Sequence, residues 1–353
     1  MIVVININYK IIRRLQMAKL KDISEVTGFS ITTISRVLNQ DQAFNVPDNT
    51  RLKILSAAEK LNYKTLGQRH RPSTSSKVPL GEKSSITIGL AYWYSTADEI
   101  TDPYYLSIRL AIKEYCNEHH IELKLFYLLE NSYDDIKAAN LDGLIALGKY
   151  SSSEINKLQA LNQHFVLVDC YSKHPEIDVV MVDLKEATKD IINYLNKVGI
   201  SSIGFIGGIE GTIDGKVLVD TRLKTFAKYE KADYDTIYQG NFNTDSGYEI
   251  MLNIIRGGNI QPAYIVASDA IAIGCLKALN EHQIKVPAEV SIISYNNTSL
   301  AQYTIPALTT VDLNTNHLGT TAAETLHERI KTNRRLAKKI FIPTQLVKRE
   351  SSL

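Results

Sequence analysis

The segment from Ser30 to Asn39 combines side chains that can read the edges of DNA bases. Arg36 can donate two hydrogen bonds to a guanine, Thr32 can bond a base edge or a phosphate, and Ile31 can contact a thymine methyl group. Small polar side chains suited to phosphate contacts accompany them, namely Ser30, Thr33, Ser35 and Asn39. An isoleucine at the start of a short helix, on the face opposite the apolar stripe, would be covered by contact with a base. The pattern predicts a DNA-reading helix, and an ordinary polar helix face is the alternative.

Three short amphipathic helices must position these side chains. Gly28 ends the first helix, Ser30 is a good N-cap for the second, and Pro47 opens the third. Their apolar stripes are Leu20, Ile23 and Val26, then Ile34, Val37 and Leu38, and finally Ile54, Ala58 and Leu61 with Leu55 beside them. Two helices joined by a turn containing glycine are typical of a helix-turn-helix, whose second helix enters the major groove.

The charge distribution supports this interpretation. The chain carries a net charge of +2, of which residues 1–83 contribute +8, so that residues 84–353 carry −6. A basic front joined to an acidic body is typical of a nucleic-acid-binding module attached to a domain that does not bind nucleic acid. A chance cluster of solvated lysines is the alternative.

Residues 63–85 have almost no periodic apolar pattern and are rich in Gly, Pro, Ser and Thr, which predicts a linker. Beyond them, short apolar segments alternate with helical ones. The predicted strands are 86–91, 123–128, 143–147, 165–168, 203–206, 263–266 and 290–294, and the clearest helices are 106–119, 184–198 and 270–282. This alternation predicts an α/β fold with parallel sheets and ligand sites at the carboxyl ends of the strands.

Several function classes are disfavoured. Cys116, Cys170 and Cys275 lie far apart with no paired Cys/His spacing, so we expect reduced core thiols and no metal site. No apolar run approaches the roughly 18 residues of a membrane span. The segment Gly204–Gly211 lacks the spacing of a dinucleotide-binding or P-loop motif, and no catalytic constellation is evident. We therefore expect no enzyme activity and no cofactor.

The segment Lys21–Asn39, which reads KDISEVTGFSITTISRVLN, resembles the headpiece of the lactose/galactose repressor family, and Leu61-Asn62-Tyr63 resembles the end of its third helix. The resemblance extends over residues 17–349. It implies a sugar-responsive transcriptional repressor, a homodimer that binds a near-palindromic operator in double-stranded DNA. A sugar-binding transport protein with the same body fold is the alternative, against which the headpiece argues. An enzyme on this scaffold is a weaker one.

The resemblance also implies the domain organisation: a headpiece over residues 17–62, a hinge over 63–85, and a two-lobed, periplasmic-binding-protein-like effector domain over 86–349. Lobe one is expected to comprise residues 86–182 and 311–331, and lobe two residues 183–310 and 332–349. The effector is expected to sit between the lobes.

The family's effector contacts correspond to Tyr104, Asp169, Arg222, Phe242, Ser268 and Asn296. Carboxylates, a planar arginine and amides around a stacking aromatic suit the hydroxyls and apolar face of a sugar. The segment Asp102–Arg109 is similar to the galactose and β-galactoside repressor branch, which favours such an effector. A sugar phosphate is disfavoured because Arg222 is the one cleft cation that the resemblance identifies.

Some alternatives stay open at these positions. Asp169 could cap a helix, Arg222 could form a surface ion pair, and Phe242 could belong to the core. Ser268 and Asn296 replace the family's usual Asn and Asp. Both replacements weaken polar contacts, which bears on which sugar is bound and not on where it binds.

The hinge departs from the family pattern, in which paired leucines wedge into the minor groove and kink the DNA. The wedge position here holds Arg71 or Pro72, and Gly67 and Pro72 disfavour a helix. We expect Arg69 and Arg71 to lie along a narrow, A·T-rich minor groove and to leave the operator little bent.

The first residues also differ from an export signal, because their apolar stretch precedes the positive charges of Lys10, Arg13 and Arg14. We therefore expect a cytoplasmic protein. Two arginine codons written AGG at Arg13-Arg14 would form a ribosome-binding sequence before Met17, close to which the family's headpiece begins. The expectation is that residues 1–16 are absent from the native protein.

Overall fold

The computed structural model describes residues 19–38, 46, 50, 53–54, 56–58, 86–93, 95, 99, 103–129, 131–229 and 234–353. The chain divides into two compact units, residues 1–82 and residues 83–353.

The smaller unit contains the predicted helical pair. Helix α1 (Leu20–Thr27) ends at Gly28, whose φ of 74° is a left-handed conformation that glycine adopts without strain. Helix α2 (Ile31–Leu38) begins after Ser30, whose hydroxyl accepts a hydrogen bond of 3.1 Å from the Thr33 amide, so the predicted N-cap is confirmed. The buried side chains of this unit's core are Ile23, Ile34, Val37, Ile54, Ala57 and Ala58.

The predicted stripe of the first helix is wrong at one position. Val26 is 65% exposed, whereas Ile23 is fully buried. Val26 lies six positions after Leu20, which corresponds to a net rotation of about 240° around a helix with 3.6 residues per turn. Val26 therefore points away from the face that packs on α2. Leu55 and Leu61 lie outside the described residues.

The larger unit contains two six-stranded sheets and a two-stranded hairpin. The first sheet is entirely parallel, in the order β13-β5-β4-β3-β1-β2. Its strands are β1 (Thr87–Tyr92), β2 (Glu122–Tyr127), β3 (Gly143–Leu147), β4 (Phe165–Val168), β5 (Asp178–Val182) and β13 (Lys339–Ile342). The residues of β3 and β4 are all buried, as expected for central strands covered on both faces.

The second sheet has the order β14-β12-β11-β10-β6-β9, and β14 alone runs antiparallel to its neighbour. Its strands are β6 (Ile203–Gly208), β9 (Ile237–Gly240), β10 (Ala263–Val266), β11 (Ser291–Tyr295), β12 (Thr309–Asp312) and β14 (Gln345–Val347). The hairpin consists of β7 (Glu210–Gly211) and β8 (Val217–Leu218). We call the two halves lobe one and lobe two, after the first and second sheet.

Helices connect and cover the strands. In lobe one they are α3 (Tyr104–Glu118), α4 (Tyr133–Ala138), α5 (Ser152–Leu161) and α10 (Thr315–Thr332), and in lobe two α6 (Leu184–Lys197), α7 (Thr221–Tyr229), α8 (Thr244–Gly257) and α9 (Asp269–Glu281). N-cap side chains stabilise the first turn of several helices, for example Ser151 in α5 and Ser268 in α9.

The three cysteines are buried, which confirms the prediction of core thiols. Among the described residues, no helix is both long and apolar enough to cross a membrane.

The lobe boundaries differ from the predicted ones at two places. We expected lobe one to resume at residue 311, but β12 (Thr309–Asp312) pairs with β11 in the lobe-two sheet. The second difference lies at the end of the chain. We expected residues 332–349 in lobe two, but β13 pairs in parallel with β5 at the edge of the lobe-one sheet. Only β14, which pairs with β12, returns to lobe two. Residues beyond the predicted end at 349 also belong to this unit, since the Ser351 hydroxyl donates to the Ile292 carbonyl at 2.6 Å. The third crossing therefore lies between 342 and 345.

Glycines allow α8 and α9 to approach each other closely. A Cβ atom on Gly274 would lie 2.0 Å from the Thr244 carbonyl oxygen, which is backbone and cannot swing aside. We predict that Gly274→Ala lowers the free energy of unfolding by about 1–3 kcal/mol, because overpacking costs more than the helix propensity of alanine returns. Urea unfolding measures the effect. Gly257→Ala at the end of α8 is the matched control: its added Cβ meets no atom within 4 Å, so its midpoint should stay or rise slightly. Equal midpoints for both variants would contradict the close approach.

Candidate effector cavity and DNA-reading helix

A cavity of about 550 Å³ lies between the two lobes of the larger unit. It opens where the strands of both sheets end, which is the usual ligand position in open α/β sheets. All six residues predicted as effector contacts line it: Tyr104, Asp169, Arg222, Phe242, Ser268 and Asn296. Positions separated by almost two hundred residues in the sequence therefore meet at one site.

The lobe-one wall is organised around Asp169, which follows β4. Its carboxylate accepts a hydrogen bond from the Tyr105 hydroxyl at 2.8 Å and pairs with the Lys149 ammonium at 2.9 Å. Burial opposes the charge of Lys149, but the carboxylates of Asp169 and Glu210 outweigh it and raise the pKa of Lys149. Burial, followed by Asp169, raises the pKa of the Tyr105 and Tyr104 hydroxyls. Asp169 caps none of the described helices, so its surroundings are those of a cavity carboxylate.

The lobe-two wall is organised around Arg222, which is 6% exposed and therefore does not form a surface ion pair. Its Nε lies 2.9 Å from both carboxylate oxygens of Asp220, its Nη2 lies 2.8 Å from Asp220, and its Nη1 donates to the Ala267 carbonyl at 2.5 Å. Burial opposes the charge, but Asp220 outweighs it and raises the pKa of Arg222. Arg222 is thus a fixed cation of the wall.

The Phe242 ring provides an aromatic platform, against which the Arg222 guanidinium packs. The guanidinium carbon lies 5.4 Å from the centre of the Phe242 ring and the same distance from the Tyr295 ring, within the range of a cation–π contact. A Cβ on Gly208 would lie 2.1 Å from the Phe242 ring, so the ring can seat here only because position 208 has no side chain. Phe242 is half-buried and lines the cavity.

Ser268 and Asn296 complete the polar lining of the cavity. Asp269, the residue after Ser268, has a structural role instead. Ser268 is buried, and its hydroxyl accepts from the Ile271 amide as the cap of α9. Asp269 does not line the cavity. Its carboxylate accepts hydrogen bonds from the hydroxyls of Ser294, Thr310 and Thr298 and from the Thr298 amide, at 2.5–2.9 Å. The side chain of Asp269 therefore joins the ends of β11 and β12 to α9.

Sequence reasoning missed two charged residues of the cavity, Lys149 and Glu210. Lys149 lies two residues after the end of β3, so the rule that sites lie at the carboxyl ends of strands could have identified it. Glu210 Oε1 lies 3.7 Å from Arg222 Nη2. Lys149 is a second cation of the cavity. The sequence-based premise that Arg222 is the one cleft cation is therefore wrong. Each cation is nevertheless paired, Lys149 with Asp169 and Arg222 with Asp220. The described residues hold no group of three or more side chains arranged to bind a metal ion.

Helix α2, the predicted DNA-reading helix, presents the predicted side chains in part. Ile31, at 47% exposure, lies with Thr32 and Arg36 on the accessible side of α2, opposite Ile34 and Val37. Ser30 is exposed and Thr33 and Ser35 are half-buried, and the hydroxyls of Ser30 and Thr33 lie 2.9 Å apart. Asn39, Arg69 and Arg71 lie outside the described residues.

A helix-turn-helix module on the same chain as a two-lobed α/β domain with a polar cavity defines a ligand-responsive DNA-binding regulator. The comparisons with known proteins identify the family. Residues 19–65 match the model described as bacterial regulatory proteins, lacI family, and residues 192–352 match a periplasmic binding protein-like domain. The chain belongs to the lacI family and is a DNA-binding transcriptional regulator.

Relatives cover nearly the whole chain. The transcriptional regulator GanR of Bacillus subtilis is 35% identical over 343 residues, which are 95% of this chain and 99% of GanR. The transcriptional regulator GalR of Lacticaseibacillus casei is 36% identical over 96% of this chain and 100% of its own length. The fold also matches the crystal structure of the lac repressor dimer bound to operator and the anti-inducer ONPF. That structure has a TM-score of 0.68 at 22% identity, covering 96% of this chain and 100% of that one.

Proposed function

We propose that this regulator is a homodimeric, cytoplasmic repressor of sugar-utilisation genes, controlled by a neutral sugar that binds between the lobes. Galactose or a β-galactoside is the proposed effector. The observation that carries the proposal is the cavity itself, where an aromatic platform is surrounded by buried carboxylates, a fixed guanidinium and amide or hydroxyl groups. The relatives named GalR support the choice of sugar, and the relatives are named as regulators rather than enzymes.

The charge balance supports a neutral ligand over a sugar phosphate. Lys149 and Arg222 line the cavity, but Asp169, Glu210 and Asp220 lie within ion-pair distance of them. A phosphate would have to compete with three carboxylates for two cations. Sugar hydroxyls, which donate and accept, can instead join these pairs without displacing either partner.

A contact across the cleft supports control by lobe closure. The hairpin β7–β8 of lobe two reaches the start of α5 in lobe one, where the Ser151 hydroxyl donates to the Asp214 carboxylate at 2.8 Å. The Asp214 amide also donates to Glu154 at 2.8 Å. A sugar alters DNA binding only to the extent that it binds one lobe arrangement more tightly than the other, and this contact favours the arrangement in which both walls of the cavity face each other.

We predict that Asp214→Ala weakens sugar binding about three- to tenfold, because one cross-lobe hydrogen bond is lost and solvent at this partly exposed site weakens a hydrogen bond to a charged group. Isothermal titration with the sugar measures the change. Glu186→Ala is the matched control, since Glu186 is an exposed carboxylate that pairs with Lys189 inside lobe two. Unchanged affinity in Asp214→Ala would contradict a role of the hairpin in closure.

The same contact should persist in mild acid. Hydrogen bonds from Thr212 and Ser151 lower the pKa of Asp214 well below its usual range. A lowered pKa means that the contact is complete above the ordinary pKa of an aspartate and is lost only as the pH falls through the lower, folded-state value.

A gel-shift experiment with operator DNA, with and without galactose or a β-galactoside, tests the proposed function. A sugar-dependent change in operator affinity is expected. A transport-type binding protein would bind the sugar without shifting DNA, and an enzyme would convert the sugar. Either result would contradict the proposal.

The hinge arginines give a further prediction. We propose that Arg69 and Arg71 contact the minor groove without prying base pairs apart. Replacing both by alanine should reduce the slope of log affinity against log salt by about one unit per arginine. Filter binding across a salt series measures it. A sharp central kink of the operator in a circular-permutation assay would contradict the hinge proposal.

A further inference from the structure

The cleft continues into a second chamber of about 820 Å³. Five residues line both spaces: Lys149, Asp169, Leu184, Glu210 and Arg222. The first chamber is the effector cavity described above, and the second lies beyond this shared border. Each volume alone falls within the range of a small-molecule site, about 300–1,000 Å³.

The second chamber follows the same sheet edge as the first. Its lobe-one wall includes Tyr171, which comes shortly after β4, Asp183, which follows β5, and Phe341 on β13. These strands are consecutive neighbours in the lobe-one sheet. Neighbouring strands lie about 4.8 Å apart, so β13 lies about 10 Å beyond β4. A ligand seated beside Asp169 would have to extend by more than one sugar ring to reach Phe341.

Two aromatic side chains of this chamber are unusually accessible. Tyr171 is 54% exposed and Phe341 is 50% exposed, and Val217 and Val219 on the opposing lobe-two wall are 71% and 55% exposed. Large apolar side chains grouped around one concave space indicate a binding surface. Flat aromatic faces flanked by polar groups match the alternating apolar faces and hydroxyl edges of a sugar chain, as Phe242 does in the first chamber.

We propose that the effector site accepts a neutral oligosaccharide, whose terminal ring occupies the first chamber and whose following rings occupy the second. The inference rests on the sugar-responsive function proposed above. The four charged side chains at the border would then hydrogen-bond the hydroxyls near the glycosidic linkage. Tyr171 and Phe341 would contact the later rings.

The fluorescence of Trp93 provides the readout, because it is the only tryptophan of the chain and lines the first chamber alone. The probes are galactose and its β-1,4-linked oligomers of two, three and four units. We expect affinity to rise about tenfold or more from the monosaccharide to the longer oligomers. Equal or weaker binding of the oligomers, with galactose still bound, overturns this inference and leaves the proposed function intact. No response to any of these sugars counts against the proposed effector itself.

Variants assign the effect to the second chamber. The double variant Tyr171→Ala with Phe341→Ala should lose about tenfold in affinity for the tetrasaccharide and stay within about twofold for galactose. Tyr303→Ala is the matched control, because Tyr303 is 75% exposed and lines neither chamber. Parallel losses for galactose and tetrasaccharide would overturn the assignment. So would tighter binding of galactose 6-phosphate than of any oligomer, because the second chamber would then be an anion site.

Discussion

Arg222→Ala is expected to abolish the sugar response while leaving operator binding intact. The guanidinium forms one wall of the first chamber, supports the Phe242 ring and fixes the Ala267 carbonyl. Its loss removes the hydrogen bonds that this charged group can donate to a sugar, each worth about 1.5–3 kcal/mol, together with the cation–π contact that supports the Phe242 ring. Sugar affinity should fall more than about 100-fold. Titration of operator binding against sugar concentration measures the response.

The substitution also leaves Asp220 buried without its partner, and breaking a buried ion pair on one side costs about 3–5 kcal/mol of stability. The double variant Arg222→Ala with Asp220→Asn removes the uncompensated carboxylate. We expect the double variant to have a urea unfolding midpoint near that of the wild type. Its operator binding should still not change with sugar concentration. A normal sugar response in this stable double variant would show that the cavity is not the effector site.

The positions that sequence reasoning located best are those at the ends of apolar strands. Asp169, Ser268 and Asn296 each come within two residues of a strand that the apolar pattern identifies, and parallel strands bring their carboxyl ends to one edge. The rule that sites lie at the carboxyl ends of strands also predicts Lys149, which was missed because the family resemblance does not include this position among the effector contacts. The rule does not reach Glu210, because the apolar pattern ends the strand before it at residue 206, whereas β6 extends to Gly208. The position of the hairpin over the cleft also depends on tertiary contacts with Ser151 and Glu154.

The final crossing between lobes illustrates a different limit. Strand β13 has alternating exposure and a charged first residue, so its sequence does not indicate which sheet it joins. β13 pairs in register with β5. Arg334, which comes shortly before β13 in the sequence, binds Asp178 at the start of β5. Its guanidinium nitrogens lie 2.8 and 3.0 Å from the buried Asp178 carboxylate. A long-range ion pair of this kind is not visible in local periodicity.

Arg36→Ala is expected to cost about 1–3 kcal/mol of operator binding, a loss of roughly 5- to 150-fold. Arg36 lies on the accessible side of α2, on the opposite side from the buried Ile34 and Val37, and among the predicted base-reading residues it alone can form a bidentate contact with guanine. Because a base contact depends on the sequence that is read, binding to random DNA should hardly change. Both affinities must be measured at one fixed salt concentration, since phosphate contacts vary steeply with salt.

Arg36→Lys separates charge from geometry. Lysine keeps the positive charge but is a point donor without the planar fork, so it should preserve non-specific binding and recover little of the operator affinity. A guanine-to-adenine change at the contacted base pair should weaken the wild type and leave Arg36→Ala nearly unaffected, because the variant no longer reads that position. If Arg36→Ala instead loses equally on operator and random DNA, and Arg36→Lys restores both, then Arg36 contacts phosphate. Base reading by α2 would then have to come from Ile31 and Thr32 at its start.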